Sequence, residues 1–256
     1  MQTIIGGNWK MQLGIKESIQ LAKTLVSSLQ DLERVKIYVA PSFVALPEVA
    51  TIIQNSPIKL AAQNMSEYES GAYTGEISPL WLKELGCEYV ILGHSERRRI
   101  LGESNELINK KVHNALKYGL KPILCIGESA SERSSGKVKE VNARQLEKSL
   151  KDIDSDQIKN IIIAYEPVWA INSRGLNPTG EIVPATPKQA EEMHNFIQQW
   201  LVSAYGNIGK EIPLQYGGSV KPENAKDLLS ISSIHGALVG GASLNSTDFV
   251  QIIRSI

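Results

Sequence analysis

Short apolar runs recur about every 25–35 residues along the chain, separated by longer stretches of helical periodicity. The runs are Thr3–Gly7, Lys36–Ala40, Lys59–Gln63, Tyr89–Leu92, Pro122–Ile126, Ile161–Tyr165, Pro213–Tyr216 and Ala237–Val239. Most are continuous rather than alternating, which is the pattern of parallel strands covered on both faces. Between them, Ile15, Ile19, Ala22, Val26 and Leu29 step by 4, 3, 4 and 3, an amphipathic helical stripe. Ser78-Pro79 and Thr186-Pro187 each pair an N-cap residue with proline at the first helical position, and Gln189 adds a capping box to Thr186. Phe249, Ile252, Ile253 and Ile256 form a last apolar face. Eight strand–helix units in 256 residues predict an α/β fold, a single closed (β/α)8 barrel spanning 1–256. An open doubly wound sheet would carry a glycine-rich fingerprint after its first strand, and Gly6-Gly7 is not followed by one. No Pro-, Gly- or Ser-rich linker interrupts the rhythm. The longest polar stretch, Ser129 to Lys139, reads as a helix lead-in, so no internal domain boundary is expected.

In such a barrel the chemistry sits just past the C-terminal ends of the strands. There the sequence places Asn8 and Lys10 after the first run, His94, Ser95 and Glu96 after the fourth, and Glu128 after the fifth. Glu166 closes the sixth run, Gly217-Gly218-Ser219 follows the seventh and Gly240-Gly241 the eighth. Paired glycines let the backbone approach a ligand and point N–H groups at it, and the loops after strands seven and eight are the usual phosphate site of this fold. Each pair precedes a helix signal, so a helix N-terminus is expected to add to an anion site. Glu166 ends an apolar strand and precedes Pro167, a partly desolvated setting that suits a general base. A helical turn starting at His94 would aim N–H groups at the ring and favour neutral imidazole, able to donate to a carbonyl oxygen. Lys10 brings a positive charge to the same rim. His113, His194 and His235 fall in helix interiors or on the opposite face, and they are expected to be structural.

Composition narrows the partners. Twenty-seven Lys+Arg balance twenty-seven Asp+Glu, so there is no basic excess of the kind that nucleic-acid or polybasic membrane binding uses. Arg97-Arg98-Arg99 is the one short basic run singled out, and it reads as salt-bridging or subunit-facing. No apolar window reaches the length of a membrane span, and the first ten residues lack the features of a signal peptide. The two cysteines, Cys87 and Cys125, lie beside apolar runs and suit buried free thiols in a reducing compartment, so a cytoplasmic location is expected. Four unpaired histidines and two isolated cysteines give no metal-ligand spacing, and no metal is expected.

These motifs, taken together, resemble the triosephosphate isomerase family. The resemblance is carried by Gly7-Asn8-Trp9-Lys10-Met11, Gln63-Asn64, Gly71 to Pro79 and Ile91 to Arg98. It continues through Cys125 to Glu128, Ala164-Tyr165-Glu166-Pro167-Val168-Trp169-Ala170, Tyr216 to Val220 and Leu238 to Leu244. It covers almost the whole chain in the family's order. It implies an intramolecular proton transfer between dihydroxyacetone phosphate and glyceraldehyde 3-phosphate, in glycolysis and gluconeogenesis, without a cofactor. Glu166 would be the base, His94 the electrophile that polarises the carbonyl, and Lys10 the cation that stabilises the enediolate. Asn8, Ser219, Gly240 and Gly241 would contact substrate, with Glu96, Glu128, Trp169 and Tyr216 in supporting roles. The loop around Thr74 would insert into a second subunit, which implies a homodimer.

The chain departs from the family pattern in one place. Where members carry a short glycine-rich lid tip, Asn172 to Pro184 is longer by about eight residues, unusual for a βα loop. The phosphate-binding N–H of the lid is therefore open between Asn172 and Gly180, with Asn172 taken as the candidate. Two other readings stay open: an isomerase of a four-carbon ketose phosphate on the same fold, and a non-catalytic phosphate-binding protein.

Overall fold

The structure is a computed structural model and describes residues 1–31, 34–171, 176 and 184–256. Parallel strands β1 (Thr3–Asn8), β2 (Val35–Ala40), β3 (Ile58–Ala62), β4 (Cys87–Leu92), β5 (Lys121–Ile126), β6 (Ile162–Tyr165), β7 (Leu214–Tyr216) and β8 (Gly236–Val239) pair in chain order. β8 returns to β1 with Ile4 opposite Gly236 and Gly7 opposite Val239, closing the barrel. The strands fall within two residues of the apolar runs. Side chains alternate as the pleat requires. Ile4, Tyr38, Ala61, Ile91, Ile123, Ala164 and Leu238 fill the interior, while Ile5, Ile37, Val39, Val90, Leu124 and Ile163 face outward under the helices. Both faces being buried is what makes the runs continuous rather than alternating.

The interior is filled unevenly. The Tyr38 ring lies where Gly6 has no side chain, and a Cβ there would sit 1.9 Å from the ring. Its hydroxyl donates to Gln215 Oε1 at 2.8 Å, and Gln215 Nε2 donates to the carbonyls of Ile4 (3.0 Å) and Ala237 (3.2 Å). One glutamine thus ties β7 to both of the strands that close the barrel.

The outer layer contains α1 (Ile15–Ser28), α2 (Leu46–Ile53), α3 (Pro79–Glu84), α4 (Ser95–Arg99) and α5 (Asn105–Lys117). It continues with α6 (Ala130–Ser134), α7 (Val138–Ser149), α8 (Pro187–Tyr205), α9 (Pro222–Leu229) and α10 (Ser246–Arg254). The two Pro-led starts form as the sequence predicts. Ser78 Oγ accepts the Leu80 N–H, and Thr186 and Gln189 make the reciprocal capping box. Such caps are each worth about 1 kcal/mol. Two expectations need correction. Of the stripe expected on α1, Ala22 and Leu29 are buried and Val26 packs against the core, whereas Ile15 is exposed; Ser18, Leu21 and Leu25 complete the buried face. Ile256 is exposed beyond the end of α10, whose Phe249, Ile252 and Ile253 are fully buried. Among the described residues no helix is long and apolar enough to cross a membrane.

Candidate active site

Glu166 extends from β6 with its side chain only 2% exposed. Its backbone runs against β5: its N–H donates to Ile126 O at 2.7 Å, and a Cβ on Gly127 would lie 1.7 Å from its carbonyl oxygen. Only glycine admits that approach. The carboxylate is held on both oxygens. Oε2 accepts the Ser95 N–H at 2.8 Å, and Oε1 lies 2.9 Å from His94 Nε2.

His94 is the N-cap of α4, reached through the left-handed turn at Gly93 (φ 68°). Its Nδ1 accepts the Glu96 N–H at 3.3 Å and lies 3.4 Å from Glu96 Oε2. The backbone donor calls for a lone pair on Nδ1, so the ring proton is assigned to Nε2, facing Glu166.

Lys10 follows β1 and is one of two described non-glycine residues with positive φ, at 52°. That conformation costs about 1–2 kcal/mol, and neighbouring groups hold it. Asn8 Oδ1 accepts the Lys10 N–H at 3.1 Å, and Gln63 Nε2 donates to Lys10 O at 2.8 Å and to Ala40 O at 2.9 Å. The ammonium is aimed by Glu96, with Nζ 2.8 Å from Oε1.

Asn8, Lys10, His94, Glu166, Ser219, Gly240 and Gly241 line one cavity of about 530 Å³. Lys221, Glu223 and Asp248 also border it. Gly240 leads into a short 3-10 turn, Gly241–Leu244, and its carbonyl is taken by Ser243 N–H (2.9 Å) and Oγ (2.7 Å). Gly217 and Gly218 line the same cavity, and the start of α9 at Lys221, Pro222 and Glu223 follows them there. The pair also makes room for side chains: a Cβ on Gly217 would lie 2.8 Å from Glu166 Cγ, and one on Gly218 would lie 2.3 Å from the Tyr216 hydroxyl.

This arrangement has counterparts among known proteins. The family model described as triosephosphate isomerase matches residues 3–256. The triosephosphate isomerases of Thermoanaerobacter pseudethanolicus and Herpetosiphon aurantiacus are 48% and 46% identical over 252 residues, 98% of this chain and 98% of each relative.

The chain belongs to the triosephosphate isomerase family.

The crystal structure of triosephosphate isomerase from Bartonella henselae superposes with a TM-score of 0.88 at 39% identity, covering 100% of this chain and 99% of that one. The family assignment also frames the residues behind the cavity. Glu128 is fully buried and accepts from Trp169 Nε1 (2.8 Å), Tyr165 OH (3.1 Å) and Asn142 Nδ2 (3.0 Å). Arg133 lies over the Trp169 ring at 4.3 Å, with Nη1 3.7 Å from Glu128 Oε1. The Tyr216 hydroxyl is buried and has no hydrogen-bond partner among the described residues, and burial pushes its pKa up. Thr74 lies apart from the cavity on an exposed loop whose Tyr68 and Tyr73 rings stack at 3.9 Å. Asn172 and Gly180 lie outside the described residues.

Three contributions are not readable from the sequence, although Ser95 and Gln63 lie in segments it marks. Ser95 supplies a backbone N–H, which leaves no side-chain signature. Gln63 acts at a distance in sequence, and Asn142 meets Glu128 from α7. The basic run also resolves differently for each member. Arg97 pairs with Glu103 and Arg99 with Glu132, both at 2.7 Å, whereas Arg98 bonds only neutral acceptors. Cys87 and Cys125 are buried free thiols. His113 is bonded to Lys151 O, and His235 Nδ1 accepts the Leu214 N–H. Among the described residues no group of three or more His, Cys, Asp or Glu side chains is arranged to hold a metal.

Proposed function

We propose that the chain, acting over 1–256 as one barrel, interconverts dihydroxyacetone phosphate and D-glyceraldehyde 3-phosphate, the isomerisation step of glycolysis and gluconeogenesis. The observation that carries this reading is the Glu166–His94 contact of 2.9 Å in the cavity that also holds Lys10. A carboxylate, an imidazole N–H and an ammonium are what an aldose–ketose proton transfer needs. Glu166 takes the proton from C1 of the ketose, and the electron pair moves through C1–C2 to the carbonyl oxygen, giving an enediolate. His94 Nε2–H polarises that oxygen and relays the hydroxyl proton, and Lys10 offsets the developing negative charge. Return of the proton from Glu166 to C2 completes the aldose. Both Glu166 oxygens are engaged in the structure, so substrate must displace at least one of those bonds before the base can act.

The phosphate is assigned to the backbone N–H groups and hydroxyl around Ser219, Gly240 and Gly241, and Asn8 to a polar contact with substrate. Glu96 aims Lys10. Glu128, Trp169 and Tyr216 support the segment that follows the base. No metal or organic cofactor enters the reading. The enzyme is read as cytoplasmic, which the two buried thiols support.

A homodimer is part of the same reading. Residues 68–76 form an exposed loop. Its base is fastened by Ser66 N–H to Ile77 O (2.8 Å), Ser78 Oγ to Glu69 O (2.5 Å) and Asn114 to Glu67 O. Met11, Val44, Trp81 and Leu101 are more than half exposed. Exposed apolar side chains of this size support burial against a second copy, with the Thr74 loop as the inserted element. A coupled assay on dihydroxyacetone phosphate tests the activity: isomerisation without added metal is expected, and its absence in folded protein overturns the proposal.

A further inference from the structure

Arg98 is partly buried on α4, directly after the catalytic turn, and it is the unusual member of its basic run. Nε donates to Gly93 O at 2.7 Å and to Cys125 O at 3.2 Å, and Nη2 donates to the same Cys125 carbonyl at 3.0 Å and to Ser149 Oγ at 3.4 Å. Nη1 donates to Asn105 Oδ1 at 2.6 Å. Among the described residues no carboxylate lies within ion-pair distance of the group, unlike its neighbours Arg97 and Arg99. Removal from water is the largest influence on it and lowers its pKa from 12.5 to about 10. A cation held this way costs stability relative to a paired or exposed one. Its location therefore calls for a reason beyond surface charge.

The location is the gap between the ends of β4 and β5. Gly93 precedes His94 and Ser95, the two residues that grip the Glu166 carboxylate. Cys125 pairs in register with Ala164, two residues before Glu166 on the same inward face. Gly93 is shaped around the guanidinium, since a Cβ there would lie 2.9 Å from Nη2. The charged and titratable groups around Glu166 are His94 and Arg98 from the β4–α4 turn, Cys125 from β5, and the Lys10–Glu96 pair reaching in from β1 and α4.

We infer that Arg98 is a positioning residue for the isomerisation. Its fork between Gly93 O and Cys125 O fixes the His94–Ser95 turn against Glu166. The inference rests on the reading of Glu166 as the base.

The test compares full-length Arg98→Lys and Arg98→Gln with wild type, and with Asn105→Ala and Ser149→Ala, which remove neutral partners of the guanidinium. Thermal unfolding, kcat and KM are measured for each. Arg98→Gln is expected to lower kcat by about 10–100-fold, because the turn that meets the base is no longer fixed, with KM changed by less than about threefold. Arg98→Lys keeps the charge and loses the planar fork, so it should not restore kcat. Asn105→Ala and Ser149→Ala should retain kcat. A folded Arg98→Gln with wild-type kcat overturns the inference. So does full rescue of kcat by Arg98→Lys, or a loss that falls on KM rather than kcat. If Arg98→Gln does not fold, Arg98→Lys decides: wild-type kcat alongside a lowered unfolding temperature means a purely structural arginine. Glu166→Gln run in parallel separates the two readings. If it retains kcat, the assignment of the base has failed; if it loses kcat while Arg98→Gln does not, only the role of Arg98 has failed.

Discussion

His194 makes a pH dependence that can be worked through from the structure. It lies on α8 with no exposed surface, its ring edge-on to Tyr165 at 5.9 Å and 6.2 Å from the Tyr216 ring. Nδ1 is 3.2 Å from Ser233 O and so donates, which leaves Nε2 bare, with no partner. Protonating Nε2 would create a buried charge with nothing to hold it. Burial accordingly lowers the pKa from 6.5 to about 3, with His235 adding a smaller effect in the same direction and the Ser233 carbonyl opposing it. The unfolded ring binds a proton below pH 6.5 and the folded ring does not until about 3, so stability is intact above 6.5 and is lost as pH falls towards 3. Each pH unit in that window is worth about 1.4 kcal/mol. Between pH 7 and pH 4 the loss from this residue is therefore on the order of 3 kcal/mol. Urea unfolding of wild type and His194→Gln at fixed protein concentration, from pH 7 to pH 4, measures it. Carboxylates with lowered pKa, such as Glu103 and Glu132, titrate in both proteins and cancel. Wild type should lose about 3 kcal/mol more than the variant over that range. Parallel losses, within about 1 kcal/mol, would refute the reasoning.

Three further outcomes follow from single contacts. Gly217→Ala puts a methyl 2.8 Å from Glu166 Cγ, so kcat should fall by about 10–100-fold with the fold retained; wild-type kcat would mean that the carboxylate has slack there. Glu103→Gln removes the carboxylate that holds Lys111 Nζ at 2.6 Å and Arg97 Nε at 2.7 Å, with Lys111 itself buried. Unfolding by urea should show a loss of about 3–5 kcal/mol, since one partner of a buried pair is left unmatched. Thr74→Arg enlarges the exposed loop tip with a charge. Sedimentation should show a shift towards monomer together with lower activity, and an unchanged assembly would remove Thr74 from the interface.

The barrel was legible because its strands are buried on both faces, which writes them as eight separate apolar runs. The site was legible for a related reason: a polar residue ending such a run has few structural uses, and Lys10, His94 and Glu166 all do so. Failures occurred where the cause lies between elements. The buried face of α1 includes Ser18, a polar residue that the apolar periodicity passes over, while Ile15 is exposed. Gly217 lines the cavity, and only the fold shows that its missing side chain also makes space for Glu166. Arg98 read as salt-bridging or subunit-facing with its two neighbours, and only the meeting of β4 with β5 gives it its carbonyl acceptors. The Ser95 N–H was invisible because any residue type carries one.

The most direct test of the central claim is kcat of Glu166→Gln on triose phosphates, measured on protein shown to be folded. Gln keeps the shape of the side chain and cannot accept the carbon-bound proton. If Glu166 is the base, kcat should fall by about 10²–10⁴-fold while KM moves little. A variant with near-wild-type kcat would contradict the account.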